Sequence, residues 1–351
     1  MCEGESITLN AEVSGGIPPY SFIWYPADGL DNPLAQNPTA TPTSSQWYYC
    51  TVTDSAGCDA TDSVYVEVLP LPTAPELISI PNGATDVPPG DTCLFWHSAG
   101  DVTYNVYFDG TLVASGITDT FWCTTLNCDE THTWMVQSEN FCGTADSPTW
   151  TFSTATSPSG LSLLSPADGS VDIPPGDTVL DWTDVSGTSP VYYNIYINGV
   201  AYATGLTESQ ITYTVACDET VQWYVEAYND CGTITSETWT FYSQTSPGPI
   251  SLISPPDDTT DIAPGDVILT WSSPESGSGP FTYSVYYDDS LIADGLTDTT
   301  YRVIVDCGEE HSWFVVVENV CGAETSEVWN FSTQPCGEPI AVLVEPFTGA
   351  W

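Results

Sequence analysis

The sequence Pro-Pro-Gly-Asp-Thr-Cys-Leu-Phe-Trp at 88–96 returns as Pro-Pro-Gly-Asp-Thr-Val-Leu-Asp-Trp at 174–182 and as Ala-Pro-Gly-Asp-Val-Ile-Leu-Thr-Trp at 263–271. In each copy a Pro-Gly-Asp turn leads into a short run that ends Leu-x-Trp. Alternation with a period of two is typical of a β-strand with one buried face. The sequence therefore predicts three homologous units, each with a turn followed by a strand that ends at a core tryptophan.

Each copy continues with two cysteines fourteen residues apart, and the second lies in an Asn-x-Cys-Gly motif. Between these landmarks, short alternating runs predict further strands, and Asp109-Gly110 is a dipeptide typical of a tight hairpin turn. About seven strands in roughly 85 residues predict an antiparallel sandwich. The cysteine pairs are Cys128 and Cys142, Cys217 and Cys231, and Cys307 and Cys321.

The predicted fold class is all-β, with four tandem antiparallel β-sandwiches arranged as a rod. Short linkers between the units contain proline, which stiffens a connection. Residues 1–70 differ from the three repeats and are expected to form a sandwich of their own. The predicted boundaries are 1–70, 71–155, 156–245 and 246–335, with 336–351 as the start of a further domain or an exchanged strand.

Charge is the most unusual feature of the composition. The 351 residues include 47 acidic side chains and a single base, Arg302, for a formal net charge of −46. Binding of nucleic acid needs Lys and Arg to neutralise phosphates, and docking on anionic lipid needs the same residues. We therefore expect no nucleic-acid partner and, without a long apolar run, no membrane insertion. Twelve cysteines favour an oxidising, extracellular or cell-surface location after secretion.

Three features of the repeats resemble bacterial fibronectin type III domains. They are the strand-B tryptophan, the Tyr-x-Val of strand C at Tyr104, and the Ser/Ala-x-Asn that ends strand F, as at Ser138. The resemblance implies a sandwich fold and says little about function. The position of the family's corner tyrosine holds His132, Val221 and His311, and we interpret the two histidines as capped corner residues.

The first 70 residues resemble a PKD-like module of large bacterial surface adhesins. The resemblance rests on Gly15-Gly16-Ile17-Pro18-Pro19-Tyr20, Trp24, the run 49–54 and Gly57-Cys58. It implies a context of gliding adhesins and of proteins exported by the type IX route. The match lacks a first strand, since strand B begins near Ile7. Either the chain is a segment of a longer polypeptide, or a neighbouring chain donates the missing strand.

The cysteines form two predicted groups. Cys93 and Cys123 face outward on neighbouring strands, so they predict a cross-strand disulfide. The two cysteines of each repeat flank a strand that spans roughly 25 Å, whereas a disulfide needs Cα atoms within about 7 Å. We therefore expect a ladder of inter-domain bonds, with an intradomain bridge in an altered topology as the alternative. The ladder pairs Cys128 with Cys231, Cys217 with Cys321, Cys2 with Cys142, and Cys307 with Cys336 or with a following domain.

No catalytic site is predicted, because His97, His132 and His311 lie in separate contexts and no nucleophile motif occurs. We expect no cofactor other than Ca²⁺, for which oxygen-rich turns between modules are suitable. The alternative is that these aspartates support Pro-Gly turns. The candidates are Asp86, Asp91, Asp172, Asp177, Asp261 and Asp266.

Aromatic residues recur on the outer face of the C–F–G sheet, where they predict a lateral packing surface or a glycan platform. Ordinary cross-strand pairing is the alternative. The candidates are Tyr107, Tyr196 and Tyr286 on strand C, and Met135, Tyr224 and Phe314 on strand F.

These observations predict a non-enzymatic, structural and adhesive stalk segment of a large extracellular bacterial surface fibre or appendage, stiffened by disulfides. Its expected partners are other copies of itself, flanking domains, surface glycans, or a prey or host cell surface. A glycan- or protein-binding module that uses the aromatic face is the first alternative. An ancillary region of a secreted hydrolase is the second.

Overall fold

A computed structural model describes residues 1–337, and the predicted segment 336–351 therefore falls almost entirely outside the described residues. The fold is all-β. The chain divides into two compact units, Met1–Ser157 and a second that begins at Pro158. Each unit contains two separate hydrophobic cores, and the four cores fall within residues 9–66, 77–152, 163–241 and 250–331. Each core lies inside one predicted module, whose boundaries stay a prediction.

The N-terminal module packs two small sheets around Trp24, Tyr48 and Cys50. Its strands are β1 (Ile7–Thr8), β2 (Ser21–Tyr25), β3 (Thr39–Ala40), β4 (Gln46–Thr53) and β5 (Asp59–Val66). β1 pairs with β3, and the other sheet has the order β2-β4-β5. This order leaves β5 at a sheet edge.

Repeat 1 is a sandwich of two unequal sheets. Its strands are β6 (Leu77–Ser79), β7 (Ala84–Val87), β8 (Gly90–Trp96), β9 (Thr103–Phe108), β10 (Thr111–Ile117), β11 (Phe121–Leu126), β12 (Thr131–Asn140), β13 (Gly143–Asp146) and β14 (Trp150–Thr154). One sheet has the order β11-β8-β6, and the other the order β10-β9-β12-β14-β7, with β13 also paired to β12. Strands A (β6), B (β8) and E (β11) thus oppose strands C (β9), F (β12) and G (β14), as the resemblance to fibronectin type III domains implies.

Repeats 2 and 3 follow the same plan. Repeat 2 has β15 (Leu163–Ser165), β16 (Gly176–Trp182), β17 (Tyr192–Ile197), β18 (Val200–Leu206), β19 (Gln210–Val215), β20 (Thr220–Asn229), β21 (Gly232–Thr235) and β22 (Trp239–Tyr242). Repeat 3 has β23 (Leu252–Ser254), β24 (Thr259–Ile262), β25 (Gly265–Trp271), β26 (Thr282–Tyr287), β27 (Ser290–Leu296), β28 (Thr300–Val305), β29 (Glu310–Asn319), β30 (Gly322–Thr325) and β31 (Trp329–Thr333). In the part of the chain that the structure describes, no helix is long and apolar enough to cross a membrane.

The first strand of a repeat departs from the antiparallel arrangement expected from the sequence. β6 pairs with β8 in one sheet, and β7 then pairs in parallel with β14 in the other. β24 and β31 form the same parallel pair in repeat 3. The chain crosses between sheets at the turn that contains Gly83, whose φ of 79° lies in the left-handed region. The first strand of the repeat is thus split in two, and its second part, β7 or β24, pairs with the outer edge of β14 or β31.

The hairpin between β9 and β10 has the turn that the sequence predicted. Asp109 and Gly110 both have positive φ, 49° and 73°, as a type I′ turn requires. The equivalent turns, at Asn198-Gly199 and Asp288-Asp289, also have two positive φ angles. The Asp109 carboxylate accepts a hydrogen bond from the Thr133 N–H at 2.8 Å, which ties the turn to β12.

Two tryptophans fill the centre of each repeat. The strand-B tryptophans Trp96, Trp182 and Trp271 are buried, as the repeated Leu-x-Trp pattern predicted. A second buried tryptophan comes from strand F in each repeat, at Trp134, Trp223 and Trp313. Burial of such a large apolar side chain removes about 150–250 Å² from water.

The replacement Trp182→Ala should therefore unfold repeat 2 locally, because it opens a large cavity in that core. Trp182 is 1% exposed, and loss of a buried Trp costs about 3–5 kcal/mol. Hydrogen exchange read by mass spectrometry should report faster exchange across residues 163–241. The matched control is Trp47→Ala at a side chain that is 51% exposed, where the cost should stay below about 1 kcal/mol. Unchanged exchange across 163–241 would contradict the assignment of Trp182 to that core.

Candidate functional site at the module junctions

Two disulfides join neighbouring modules within the two units. Cys2 of the N-terminal module bonds to Cys142, which follows β12 in repeat 1. Cys217, which precedes β20 in repeat 2, bonds to Cys321 after β29 in repeat 3. The Cα–Cα distance is 5.5 Å in both, and the paired cysteines are 140 and 104 residues apart in sequence. Each bond adds a second covalent connection to a junction that the linker already spans.

Strand length explains why these bonds cross between modules. β12 and β29 each contain ten residues, which span about 33 Å, so a cysteine before the strand cannot reach one after it. The intradomain alternative is wrong for Cys128–Cys142 because Cys142 is bonded to Cys2. It is also wrong for Cys217–Cys231, because Cys217 is bonded to Cys321.

Two further disulfides are local. Cys93 and Cys123 lie directly opposite each other in the β8–β11 register, with a Cα–Cα distance of 3.9 Å. Cys307 bonds to Cys336, with a Cα–Cα distance of 5.0 Å. The pairing of Cys128 with Cys231 stays a prediction. Cys50 and Cys58 are free thiols, the first buried and the second exposed.

The asparagine of each Asn-x-Cys-Gly motif orders the turn that presents the second cysteine. The side-chain oxygens of Asn140, Asn229 and Asn319 accept a hydrogen bond from the N–H of the cysteine two residues later, at 2.8, 2.9 and 2.8 Å. The Asn140 amide also donates to the carbonyl of Pro70 at 3.0 Å, in the linker from the N-terminal module. The motif therefore serves the disulfide and the linker together.

In the second unit, the asparagine of the motif also donates hydrogen bonds to a linker carbonyl, and here it has a second carbonyl partner. Asn319 donates to the carbonyls of Thr245 and Ser278, both at 2.8 Å. Ser278 in turn donates its hydroxyl hydrogen bond to the Asp172 carboxylate of repeat 2. Gly277 is required here, since its φ is 111° and a Cβ would lie 2.7 Å from the carbonyl oxygen of Ser246. The junction of repeats 2 and 3 is thus closely packed and polar.

An aspartate directly after the first cysteine holds the linker that leaves a repeat. Asp129 accepts hydrogen bonds from the hydroxyl and N–H of Ser157, at 2.6 and 2.9 Å. Asp218 accepts the same two bonds from Ser246, at 2.8 and 3.0 Å. The bond from the Ser157 hydroxyl, followed by that from its N–H, lowers the pKa of Asp129 below its ordinary value. Repeat 3 has Gly308 at this position.

The junction cysteines are predictable from the sequence, whereas the roles of the groups around them are seen only in the structure. The Asn of the Asn-x-Cys-Gly motif was visible in all three repeats, and its recurrence was the available signal. The Cys-Asp pairs at 128–129 and 217–218 are a second signal in the sequence. The Ser278–Asp172 contact joins residues 106 apart and has no signature in the sequence.

The aromatic candidates on the C–F–G face are stacked against each other across the strands. Tyr196 and Tyr224 lie 4.6 Å apart between ring centroids, with an interplanar angle of 5°. Tyr286 and Phe314 repeat this geometry at 4.6 Å and 3°. In repeat 1, the register places Tyr107 opposite Met135. All six side chains are half-buried. In the two aromatic pairs each ring covers one face of its partner, as in ordinary cross-strand pairing.

The six candidate calcium ligands have protein partners or lie at irregular points of the backbone. Asp91 and Asp177 accept hydrogen bonds from threonine hydroxyls, and Asp266 pairs with Arg302 at 3.1 Å. Asp86 and Asp261 lie within β7 and β24, where the pairing register shifts, and have left-handed φ values of 58° and 60°. Asp172 has a φ of 58° and accepts the hydrogen bond from Ser278. Within residues 1–337, no cluster of three or more His, Cys, Asp or Glu side chains is placed to hold a metal ion. Calcium binding at these turns stays a prediction.

The two corner histidines are structural in their contacts. His132 Nδ1 lies 2.8 Å from the Asp109 carboxylate, and His311 Nδ1 lies 2.8 Å from that of Asp288. The His132 ring also packs against Phe108 and Phe152. These contacts agree with the interpretation of both histidines as capped corner residues.

No protein-family model and no curated protein matches the chain. Among solved structures, it is similar to immunoglobulin domains 1–5 of Sidekick-1, at 12% identity over 95% of this chain and 78% of that one, with a TM-score of 0.34. It is also similar to three N-terminal domains of the bacteriophage RB49 Hoc protein, at 11% identity over 75% and 99% of the chains, with a TM-score of 0.36. Fibronectin(III)-like modules of Clostridium thermocellum CbhA match at 14% identity over 54% and 100%, with a TM-score of 0.23. Similarities this slight carry no functional argument.

The variant Cys2→Ser/Cys142→Ser should loosen the first junction and leave both modules folded, because each module has its own core. Hydrogen exchange should rise at residues 67–74 and stay unchanged within β8 and β11. The matched variant Cys93→Ser/Cys123→Ser should raise exchange within β8 and β11 and leave residues 67–74 unchanged. This bond closes a loop of 30 residues inside one sandwich, worth about 3.6 kcal/mol in the chain-entropy model. Unfolding of repeat 1 in the first variant would show that the bond stabilises the sandwich itself.

The hydrogen bonds from Ser157 should make the first unit sensitive to acid. Because the pKa of Asp129 is lower in the folded protein than in the unfolded chain, its contribution is present above the ordinary aspartate pKa and lost as pH falls through the lowered value. The variant Ser157→Ala should raise the Asp129 midpoint in a carboxyl NMR titration, whereas Ser157→Thr, which keeps the hydroxyl, should preserve it. An equal rise in both variants would exclude the hydroxyl as the cause.

Proposed function

We propose that this chain is a non-enzymatic, structural stalk segment of a large extracellular bacterial surface fibre or appendage. Its modules hold an adhesive or otherwise active part of the assembly at a distance from the cell. The disulfides at the junctions make neighbouring modules act together instead of swinging on single linkers.

The observation that carries the proposal is the cross-module disulfide, repeated in both units. A single linker lets two sandwiches rotate about one attachment point. A second covalent attachment at Cys142 or Cys321 removes most of that freedom, and the asparagine amides hold the linker carbonyls in place beside it. Disulfides persist in oxidising compartments, which supports the extracellular location.

Composition supports exposure outside the cell. Arg302 is the single site for trypsin-like proteases in 351 residues, and it is paired with Asp266 on the β28–β25 sheet. A net charge of −46 keeps copies apart in solution, so association between them needs a specific apolar contact. The secretion route, the gliding-adhesin context and the distal partner are part of the proposal and rest on the resemblance of residues 1–70.

The aromatic C–F–G face gives no separate support for a glycan-binding function. A sugar platform needs ring faces that are open to solvent. Here each ring of the pairs Tyr196–Tyr224 and Tyr286–Phe314 covers one face of its partner. The stacked pairs are therefore assigned to stabilisation of the sheets.

Single-molecule pulling from the two ends of the chain tests the mechanical role. The oxidised chain should keep the 140 residues between Cys2 and Cys142 and the 104 residues between Cys217 and Cys321 from extending. At roughly 0.35 nm per residue, reduction should release about 49 and 36 nm of additional contour length. The variant Cys2→Ser/Cys142→Ser should release most of the first length without reductant.

Equal contour lengths with and without reductant would refute the mechanical role of these bonds. The location is checked by antibody labelling of intact, unpermeabilised cells that produce the protein. Labelling that appears only after permeabilisation would refute the surface assignment.

A further inference from the structure

The last strand of the N-terminal module has an open edge. β5 pairs with β4 along all eight of its residues, and no other strand among residues 1–337 pairs with its second edge. In repeats 1 and 3 the equivalent strands β14 and β31 are covered at this edge by the short parallel strands β7 and β24. In the N-terminal module, parallel pairing at this edge occurs only beyond the end of β5, where Cys2 forms an isolated parallel bridge with Leu69.

A groove of about 620 Å³ lies beside this edge. Trp24, Cys50 and Val52 line its floor, residues 9–13 form one wall, and β5 forms the other. The core-facing side of β5 is incompletely covered: Val64 is 40% exposed, although the register places it opposite the buried Tyr48. Exposed valine on the inner face of a sandwich is the expected result when one strand of the sheet is missing.

The groove selects against acidic occupants. Ala60, Asp62 and Val64 alternate on the groove side of β5, and the register places Asp62 directly opposite Cys50 on the groove floor. Burial, and after it the Asp62 carboxylate, raises the pKa of the Cys50 thiol. A strand with Asp or Glu at facing positions would be repelled there. An occupant that suits the groove is therefore an alternating apolar run without Asp or Glu at the facing positions.

Residues 338–351 lie outside the described structure, and they contain such a run. Their sequence is Glu-Pro-Ile-Ala-Val-Leu-Val-Glu-Pro-Phe-Thr-Gly-Ala-Trp. Ile340, Val342 and Val344 fall on one side of a strand, β-branched residues favour strands, and a proline on either side of the run limits its length. Five residues span about 17 Å, well within the roughly 26 Å edge of β5.

We propose that residues 340–344 of a second copy of this chain add as a strand to the free edge of β5 and place Ile340, Val342 and Val344 in the groove. The backbone of the added strand satisfies the free hydrogen-bonding groups of β5, and its side chains complete the core. The contact joins the segment 340–344 of one copy to the N-terminal module of the next. It is heterologous and can be repeated, so it lengthens an assembly.

This inference deepens the proposed stalk function by naming a partner, and the two can fail separately. Pulling experiments on one chain report on the disulfides whether or not copies associate. Association is tested on the full chain by analytical ultracentrifugation at physiological salt, where the repulsion between copies is screened. The wild-type chain should form species at multiples of 37.8 kDa that increase with concentration.

Two substitutions should each abolish the association. Val342→Glu places a charge in the inserted strand, and Ala60→Glu places one in the groove at an exposed position where folding is unaffected. The matched controls are Thr348→Glu, in the same tail beyond the run, and Leu34→Glu, in the same module but outside the groove. Both controls should associate as the wild-type chain does, and circular dichroism should be the same for all four variants.

Mixing the two inactive variants gives the sharpest test. The Ala60→Glu chain keeps a working tail and the Val342→Glu chain keeps a working groove, so an equimolar mixture should form a 1:1 dimer and no larger species. A wild-type chain that stays monomeric at all concentrations would overturn the proposal, as would the same association in all variants or a mixture that remains monomeric. Docking of residues 340–344 on their own chain, or capture of a different protein, predicts the two monomeric outcomes, and association through another surface predicts the unchanged one.

Discussion

The distance between two cysteines governs the organisation of this protein. Strand F of each repeat has ten residues, which place a cysteine before it and one after it about 33 Å apart, whereas disulfide-bonded Cα atoms lie 5.5 Å apart here. The two cysteines that flank strand F therefore cannot bond to each other. Bonding to an adjacent module is the direct solution, and the structure adopts it in both units. The remaining features of the junctions, the asparagine turns and the Asp–Ser linker contacts, hold the cysteines and linkers where these bonds require them.

Nine of the 47 acidic residues are aspartates with a structural use at left-handed backbone positions. Ten non-glycine residues among residues 1–337 have a positive φ, of which nine are aspartates and the tenth is Asn198. Asp tolerates the left-handed conformation, and its short carboxylate accepts backbone hydrogen bonds nearby. Asp109 and Asp288 each have a left-handed φ and accept a backbone hydrogen bond. Each also contacts a corner histidine. The excess of negative charge thus comes partly from turn residues that elsewhere are often Gly or Asn.

Local and repeated features were predictable from the sequence, and long-range contacts were not. The period-two pattern predicted the strands, the Leu-x-Trp motif the core tryptophans, and the Asp-Gly pair the hairpin turn. The length of strand F excludes a bond between the two cysteines of one repeat, and a ladder between neighbouring modules then gives the pairs Cys2–Cys142 and Cys217–Cys321. The amide contacts of Asn140 and Asn319 could not be predicted, because they depend on how a linker some 70 residues away folds back. The parallel pairing of β7 was also missed, since a four-residue strand has too little periodicity to reveal its partner.

The cross-module disulfides also link the covalent state of the chain to the folding of two modules at once. Cys2 and Cys142 are separated by 140 residues and by two separate cores, so the native packing of both modules holds their sulfurs within bonding distance. Damage to either sandwich removes the alignment on which this bond depends. The oxidation state of one cysteine pair therefore reports on the folding of two modules together.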